Sequence, residues 1–410
     1  MSLKSKARRI LIYSHDSFGL GHLRRCRTLA HALVEQNQNL SVLILSGSPI
    51  IGSFDFKARV DFVRIPGIIK LRNGEYTSLS LHIDTEQTLA MRASIIRHTA
   101  ETFDPDIFIV DKEPYGLKGE VEETLEVLKE RGTQLVLGLR DVLDDPSLLG
   151  PEWERKNVLP ALSKYYDDIW VFGVEQLYNP LKGIELPADI QRKVTYTGYL
   201  PRNVQPATDP AILDEIDEPY ILITVGGGGD GEVLTDWVLR AYEADPNMPM
   251  NALFVLGPFM PPDLRSSFRE RIAKLNHAKS VTFNNKMESL MDRASAVVAM
   301  GGYNTFCEVL SMDKRALIIP RTVPRLEQYI RATRAAELGL ISVLVDDDVR
   351  ATETMQTALK QLSQQNKPSD IVIPGLLDGL TNVNRLAQLR FKDRDLFNTD
   401  VGGTVSFKNY

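Results

Sequence analysis

In the stretch SFGLGHLRRC, Ser17 to Cys26, a histidine stands between a glycine pair and a run of arginines. Imidazole is the side chain whose ordinary pKa lies near neutral, so His22, held at a turn between Gly21 and Arg24, Arg25 and Arg27, is a candidate general base. A glycine turn carrying an exposed histidine is the plainer alternative. Two other glycine clusters, VGGGGDG (Val225–Gly231) and AMGGYNTFCEVLS (Ala299–Ser311), each place bare amides where an apolar run hands over to a helical pattern. Such amides suit a phosphate. After Gly301 and Gly302, Asn304 and Thr305 offer helix caps, and Glu308 follows Thr305 at capping-box spacing. Glu308 therefore either closes that box or, as the first inward acid, grips ribose hydroxyls. A fourth segment, Pro320 to Gly339, begins a helix with Arg325, Glu327 and Gln328 in its first turn, although first turns are commonly polar.

Gly226, Gly228 and Gly231 formally satisfy G-x-G-x-x-G. A dinucleotide site of that kind also needs an acid about 20 residues on, at the end of the next strand, to hold the ribose. Here the next strand ends in FVLGP, which argues against NAD and leaves a phosphate loop. Ser-x-x-Lys, G-x-S-x-G, H-E-x-x-H and Walker A patterns are absent. The two cysteines, Cys26 and Cys307, form neither a disulfide framework nor a metal-ligand spacing, and the run Asp346–Asp348 reads as a solvated strand end rather than a cation site.

These residues must be positioned by a scaffold, and the chain supplies one. Short β-branched apolar runs alternate with helical patterns, which is the signature of βαβ units and parallel sheets. The first half offers strands at Arg9–Ser14, Leu40–Gly47, Asp106–Asp111 and Gln134–Asp141, among others. The proline-rich stretch from Tyr199 to Pro219 interrupts the pattern, which restarts at YILITVGGGG. A chain of 410 residues, 43% of them hydrophobic, exceeds the usual single-core limit of about 250–300 residues. The expectation is an α/β protein of two Rossmann-like doubly wound domains facing a cleft, followed by a final helix after Gly375 and a polar tail. Ligands of such sheets bind outside the carboxyl ends of the strands. The net charge of −6 gives no general attraction to nucleic acid. No run approaches a membrane span, and the cysteine usage fits a cytoplasmic protein. Arg64–Tyr76 mixes apolar and basic residues; it reads as a buried strand and loop, with contact to a lipid-linked acceptor as the alternative.

Taken together, the motifs resemble inverting glycosyltransferases of the GT-B fold, in particular the family whose carboxyl-terminal domain is shared with the enzyme that adds N-acetylglucosamine to the peptidoglycan lipid precursor. GGYNTFCE, Gly301 to Glu308, is similar to that family's nucleotide-binding G-G-x-x-T-x-x-E segment. The resemblance implies that Glu308 bonds the donor ribose, that Thr305 and its neighbours approach the diphosphate, and that Gln328 contacts the sugar, with Glu327 where the family has Gln. GHLRRCRTLAHAL resembles instead the G-H-x-x-R-C-x-T-L-A-x-A-L pattern of nucleotide-sugar hydrolases of pseudaminic acid biosynthesis, and both relatives put the base on His22. Asp111, ending its strand, is either the partner of His22 or a strand-end cap. Arg25 matches the pattern and is nominated for an anionic group or an interdomain contact, while at least one of the other two arginines reads as part of a solvated helix face.

The implied organisation is an acceptor-side domain over 1–203, a nucleotide-sugar-binding domain over 204–380, and a helix and tail over 381–410 that packs back toward the first domain. The implied activity is metal-independent hexosyl transfer from a nucleotide-diphosphate sugar, with UDP as the carrier and no separate cofactor. The amides of Gly226, Gly227, Gly228 and Gly229 would stabilise the leaving diphosphate. The acceptor is a small-molecule or lipid-linked hydroxyl, and a peripheral membrane contact and the oligomeric state stay open. Hydrolysis or epimerisation on the same fold, and a non-catalytic nucleotide-sugar binder, are the alternatives.

Overall fold

The computed structural model describes residues 7–15, 20–70, 75–203, 219–227, 229–282 and 287–403. The first domain runs β1 (Arg8–Ser14), α1 (Gly21–Gln36), β2 (Leu40–Ser46), β3 (Val60–Arg64), β4 (Ile68–Lys70), β5 (Tyr76–Ser78) and α2 (Thr85–Phe103). It continues with β6 (Ile107–Asp111), α3 (Glu122–Glu130), β7 (Gln134–Arg140), α4 (Pro146–Arg155), α5 (Val158–Lys164), β8 (Asp168–Phe172), α6 (Ala188–Gln191) and β9 (Val194–Tyr196). The second comprises β10 (Tyr220–Thr224), α7 (Glu232–Ala244), β11 (Asn251–Val255), α8 (Pro262–Ile272), β12 (Ala278–Val281) and α9 (Met287–Arg293). After these come β13 (Ala296–Ala299), α10 (Tyr303–Ser311), β14 (Arg315–Ile318), α11 (Glu327–Glu337), β15 (Ser342–Val343), α12 (Thr352–Gln361) and the long α13 (Gly379–Gly403).

The central strands are buried on both faces, so their sequences read as unbroken apolar runs, as parallel sheets require. The first sheet has seven strands in the order β3-β2-β1-β6-β7-β8-β9, and the second has six in the order β12-β11-β10-β13-β14-β15. Both are parallel throughout. In each, the order reverses next to the first strand: between β1 and β6, and between β10 and β13. Those switch points open a crevice beyond the strand ends, where ligands of this fold bind. His22 follows β1 at the start of α1, Asp111 ends β6, Gly226, Gly227 and Gly229 follow β10, and Gly301–Glu308 follow β13 into α10.

The Arg64–Tyr76 stretch forms more than a strand and a loop: β4 and β5 pair as an antiparallel hairpin. Its residues 71–74 lie outside the described residues, as does 204–218 of the interdomain stretch. The final helix expected after Gly375 begins at Gly379 and continues as far as Gly403, into the stretch read as a polar tail. Tertiary contacts hold it. Val383, Ala387 and Phe391 of α13 are buried in one core cluster with Leu29 and Leu33 of α1, and Arg390 holds Asp168 of β8 with two bonds of 2.6 and 2.7 Å. The last helix thus belongs to the first domain by packing.

The chain crosses between the domains at Gly198–Tyr199 and again at Gly375–Gly379. There the Tyr199 amide donates to Leu376 O at 2.8 Å and the Gly379 amide to Tyr199 O at 3.1 Å. Gly198 has φ of +92°, and a Cβ on it would lie 2.4 Å from Gly375 O. Gly198→Ala is therefore expected to cost about 1–3 kcal/mol from backbone strain alone, plus the clash. Thermal unfolding reads it; an unchanged midpoint would contradict the close approach.

Candidate active site

The first wall of the crevice is built by β1, β6 and α1. Residues 16–19, including Gly19, lie outside the described residues, and α1 begins at Gly21. One turn of helix brings His22 and Arg25 onto the end of β6. His22 Nδ1 lies 2.5 Å from Asp111 Oδ2, so the pairing left open by the sequence is formed. Asp111 Oδ1 in turn accepts from Arg25 Nε at 2.9 Å and Nη2 at 2.5 Å. We assign the imidazole proton to Nδ1 from this carboxylate partner, which leaves Nε2 unprotonated.

Electrostatics keeps the pair in its working form. Burial pushes the His22 pKa below 6.5, with Asp111 opposing and Arg25 and Lys112 adding to the fall. Burial alone would raise the Asp111 carboxyl, but Arg25 and His22 overcome it and hold the group well below the usual carboxylate range. His22 is thus neutral at pH 7 beside an ionised carboxylate. A second histidine, His15, stands edge-on at 5.7 Å between ring centroids, and its burial depresses its own pKa strongly.

The second wall presents two glycine loops. Gly226 (φ +62°) turns the chain after β10, and Gly231 is the N-cap of α7. Gly228 lies outside the described residues; Gly226, Gly227 and Gly229 line the cleft. After β13, Gly301 (φ +79°) would drive a Cβ to 2.7 Å from Ile318, and Gly302 is the N-cap of α10. Asn304 and Thr305 therefore sit inside the first turn instead of capping it, and the capping box does not form, because the glycine turn starts the helix at Tyr303.

Several side chains are engaged differently from the sequence reading. Asn304 is turned to the first domain: its Nδ2 donates to Gly21 O at 3.0 Å, and its Oδ1 accepts from Arg202 at 2.7 Å. Glu308 is buried and hydrogen-bonded by Arg24, which also reaches Glu288 at 3.0 Å. Arg24 is therefore an interdomain clasp and not a solvated residue. Burial raises the Glu308 carboxyl, and Arg24 works against that. Arg25 serves Asp111 and lies 5.5 Å from the Tyr303 ring centroid, so it is tied up within the protein. Arg27, by contrast, donates to Asp55 O on the first domain.

At the start of α11 the side chains divide. Glu327 and Gln328 line the cleft, where Arg321 bonds Glu327 at 3.0 Å and Asp230 at 2.6 Å. Arg325 points the other way and pairs with Asp144 and Glu152 of the first domain at 3.1 and 3.0 Å. It is a domain tether and does not line the cleft, because the two carboxylates across the interface outbid the crevice for it. The sequence reading also missed the buried set Asp141, Arg331 and Tyr199, together with the cleft residues Arg140 and Arg321. For Arg140 and Asp141 the signal was faint, two charged residues at the end of one predicted strand.

The crevice encloses about 510 Å³, bounded on one side by His22, Arg24, Arg25 and Arg140 and on the other by both glycine loops, Thr305, Glu308, Glu327 and Gln328. That volume falls within the about 300–1,000 Å³ typical of small-ligand sites. Among the described residues, no group of three or more His, Cys, Asp or Glu is arranged to hold a metal ion. Among them, too, no helix is long and apolar enough to cross a membrane.

Comparison with known proteins places this geometry. Residues 221–370 match the glycosyltransferase family 28 C-terminal domain. No curated protein is similar enough in sequence to match. Among solved structures, TcCGT1 in complex with UDP superposes with a TM-score of 0.65 at 13% identity, over 95% of this chain and 100% of that one. UGT2 of Phytolacca americana, complexed with UDP-2fluoro-glucose and pterostilbene, gives 0.61 at 14% identity, over 98% of this chain and 100% of that one. UGT71G1 of Medicago truncatula, complexed with UDP-glucose, gives 0.60 at 14% identity, over 95% and 100%. The likeness to these structures is one of fold: two parallel-sheet domains in the GT-B arrangement, with the segment that matches the family 28 C-terminal domain as the second wall.

Proposed function

We propose that the chain is an inverting, metal-independent glycosyltransferase that moves a hexosyl group from a nucleotide-diphosphate sugar, with UDP as carrier, to a hydroxyl acceptor, and that His22 is its general base. The observation that carries this reading is the His22–Asp111 pair at one switch point, facing across the cleft the glycine loops of the other. In the reaction the acceptor oxygen attacks the anomeric carbon as the bond to the diphosphate breaks, and His22 Nε2 takes the hydroxyl proton. Asp111 then stabilises the imidazolium, a role that needs an ionised carboxylate. The departing diphosphate gains negative charge where the amides of Gly226, Gly227 and Gly229 and of the α10 first turn lie, a pre-organised anion site at helix N-termini.

Glu308 is the acid for the ribose hydroxyls, and the ribose exchanges with Arg24 for it. Thr305 lies beside the diphosphate, and Glu327 and Gln328 meet the sugar. The acceptor enters beside the first domain; the fold leaves its identity, a small molecule or a lipid-linked hydroxyl at a membrane surface, to experiment. Water in the acceptor place would make the same site a hydrolase.

Binding tests the donor reading. UDP and UDP-sugars are expected to raise the unfolding midpoint by mass action, and Glu308→Gln to weaken UDP by about tenfold or more, the worth of a charge-assisted hydrogen bond. Stabilisation by NAD alone would sink the proposal. Release of free sugar at the same rate with and without acceptors would turn it toward hydrolysis.

A further inference from the structure

Arg140 ends β7 and reaches the cleft from the first domain. Around it the other cleft arginines have carboxylate partners: Arg24 has Glu308 and Glu288, Arg25 has Asp111, and Arg321 has Asp230 and Glu327. Arg331, behind them, has Asp141. Arg140 makes no ion pair among the described residues, and its Nε is buried without a hydrogen-bond partner. Burial pushes its pKa down to about 10; Glu327 and Asp141 pull it upward, whereas Arg25 and Arg331 press it further down.

Two neighbours share the deficit. Glu327 Oε2 and Arg321 Nε are likewise buried without partners, although Glu327 Oε1 and the Arg321 guanidinium bond each other. Buried polar groups are satisfied almost everywhere in folded proteins, and a buried charge without a counter-charge is costlier still. Such atoms on both walls of one cleft point to a ligand that completes them. Arg321 is matched by Asp230 and Glu327, whereas Arg140 has no carboxylate of its own among the described residues, so the ligand that completes it carries an oxyanion, next to hydroxyl groups for Glu327.

We propose that Arg140 receives an anionic oxygen of the bound donor, beside the Glu327–Arg321 pair that meets the donor's hydroxyls. The proposal rests on the nucleotide-sugar reading of the cleft and adds a charge requirement to it. The oxyanion has two sources of the same chemistry: the diphosphate, or a carboxylate on the transferred sugar. In either case Arg140 is a binding residue whose cost is borne by the folded protein until the anion arrives.

The test compares the wild type with Arg140→Gln and Arg140→Lys, using inorganic pyrophosphate, uridine, UDP, UDP-glucose and UDP-glucuronate as probes. Without ligand, Arg140→Gln is expected to raise the unfolding midpoint by about 2–4 °C, because a function-bearing buried charge is removed. Loss of about tenfold or more in pyrophosphate and UDP affinity, with uridine unaffected, supports the diphosphate as the source. Unchanged UDP affinity with loss of a wild-type preference for UDP-glucuronate over UDP-glucose supports the sugar carboxylate. Arg140→Lys, which keeps the charge but not the planar fork, should fall between. A lowered midpoint in Arg140→Gln with unaltered affinities overturns the proposal, and so does a wild type that binds none of the anionic probes. Pyrophosphate binding that depends on Arg140 in a protein indifferent to every uridine nucleotide would uphold the anion site and refute the donor reading.

Discussion

Replacement of His22 by alanine is expected to lower kcat by about 10²–10⁴-fold, the usual contribution of a positioned general base, with little change in donor affinity. The split follows from the geometry. His22 sits on the first wall with Asp111, whereas the glycine loops and Glu308, proposed to hold the nucleotide, belong to the second. A parallel loss of UDP binding would mean that His22 acts by shaping the cleft. The pH profile gives an independent reading. The base works only when neutral and its pKa lies below 6.5, so kcat/KM should be flat near pH 7 and fall as the pH drops through that lowered value. Asp111 is the group that pulls the His22 pKa upward. Asp111→Asn should therefore move the acid limb to still lower pH while reducing kcat. A limb that moved upward, or stayed in place with full activity, would remove Asp111 from the mechanism.

The largest effect on stability is expected at Asp141. Its carboxylate accepts from Arg331 Nε at 2.7 Å and Nη2 at 2.6 Å, and from the Tyr199 hydroxyl at 2.7 Å. Arg331 also donates to Gly301 O at 3.0 Å. Both side chains of the ion pair are 1% exposed, and they join the first domain to the second behind the catalytic crevice. Asp141→Ala strands a fully buried guanidinium, which costs about 3–5 kcal/mol, whereas replacing both partners with well-packed apolar residues is often near neutral. Denaturant unfolding of Asp141→Ala, Arg331→Leu and the double Asp141→Leu/Arg331→Leu variant measures this. If the double variant is as unstable as the single ones, the pair is a net stabiliser and not a matched set whose separation is what costs. Because Arg331 holds Gly301 O, the single variants should also weaken nucleotide binding.

The sheets were legible in the sequence because parallel strands buried on both faces leave unbroken apolar runs, and the glycine loops stood out because positive φ at Gly226 and Gly301 admits little else. His22 and Asp111 could each be placed at a strand end, but that the two strands are neighbours is seen only in the sheet order. Partner choice among charged groups was not legible, since it is decided across the domain interface by residues far apart in the chain. Arg24 and Glu308 are 284 positions apart, and nothing local distinguishes Arg24, which reaches the second domain, from Arg27, which stays on the first. Asn304 looked like a cap because the two glycines before it gave no sign of where the helix would begin. The final helix was legible from its pattern, whereas its continuation to Gly403 into the polar, glycine-containing stretch was not.

That last helix also sets an order of events in the making of the protein. The first domain's core is closed by Val383, Ala387 and Phe391, residues synthesised only after the whole second domain. Domains generally fold as units while the chain is being made; here the earlier one stays open along the α1 face until the later one has been completed. The nascent first domain therefore exposes an apolar strip throughout translation of the second, and a chain stopped before α13 carries its defect in the domain that holds His22, not in the domain next to the break.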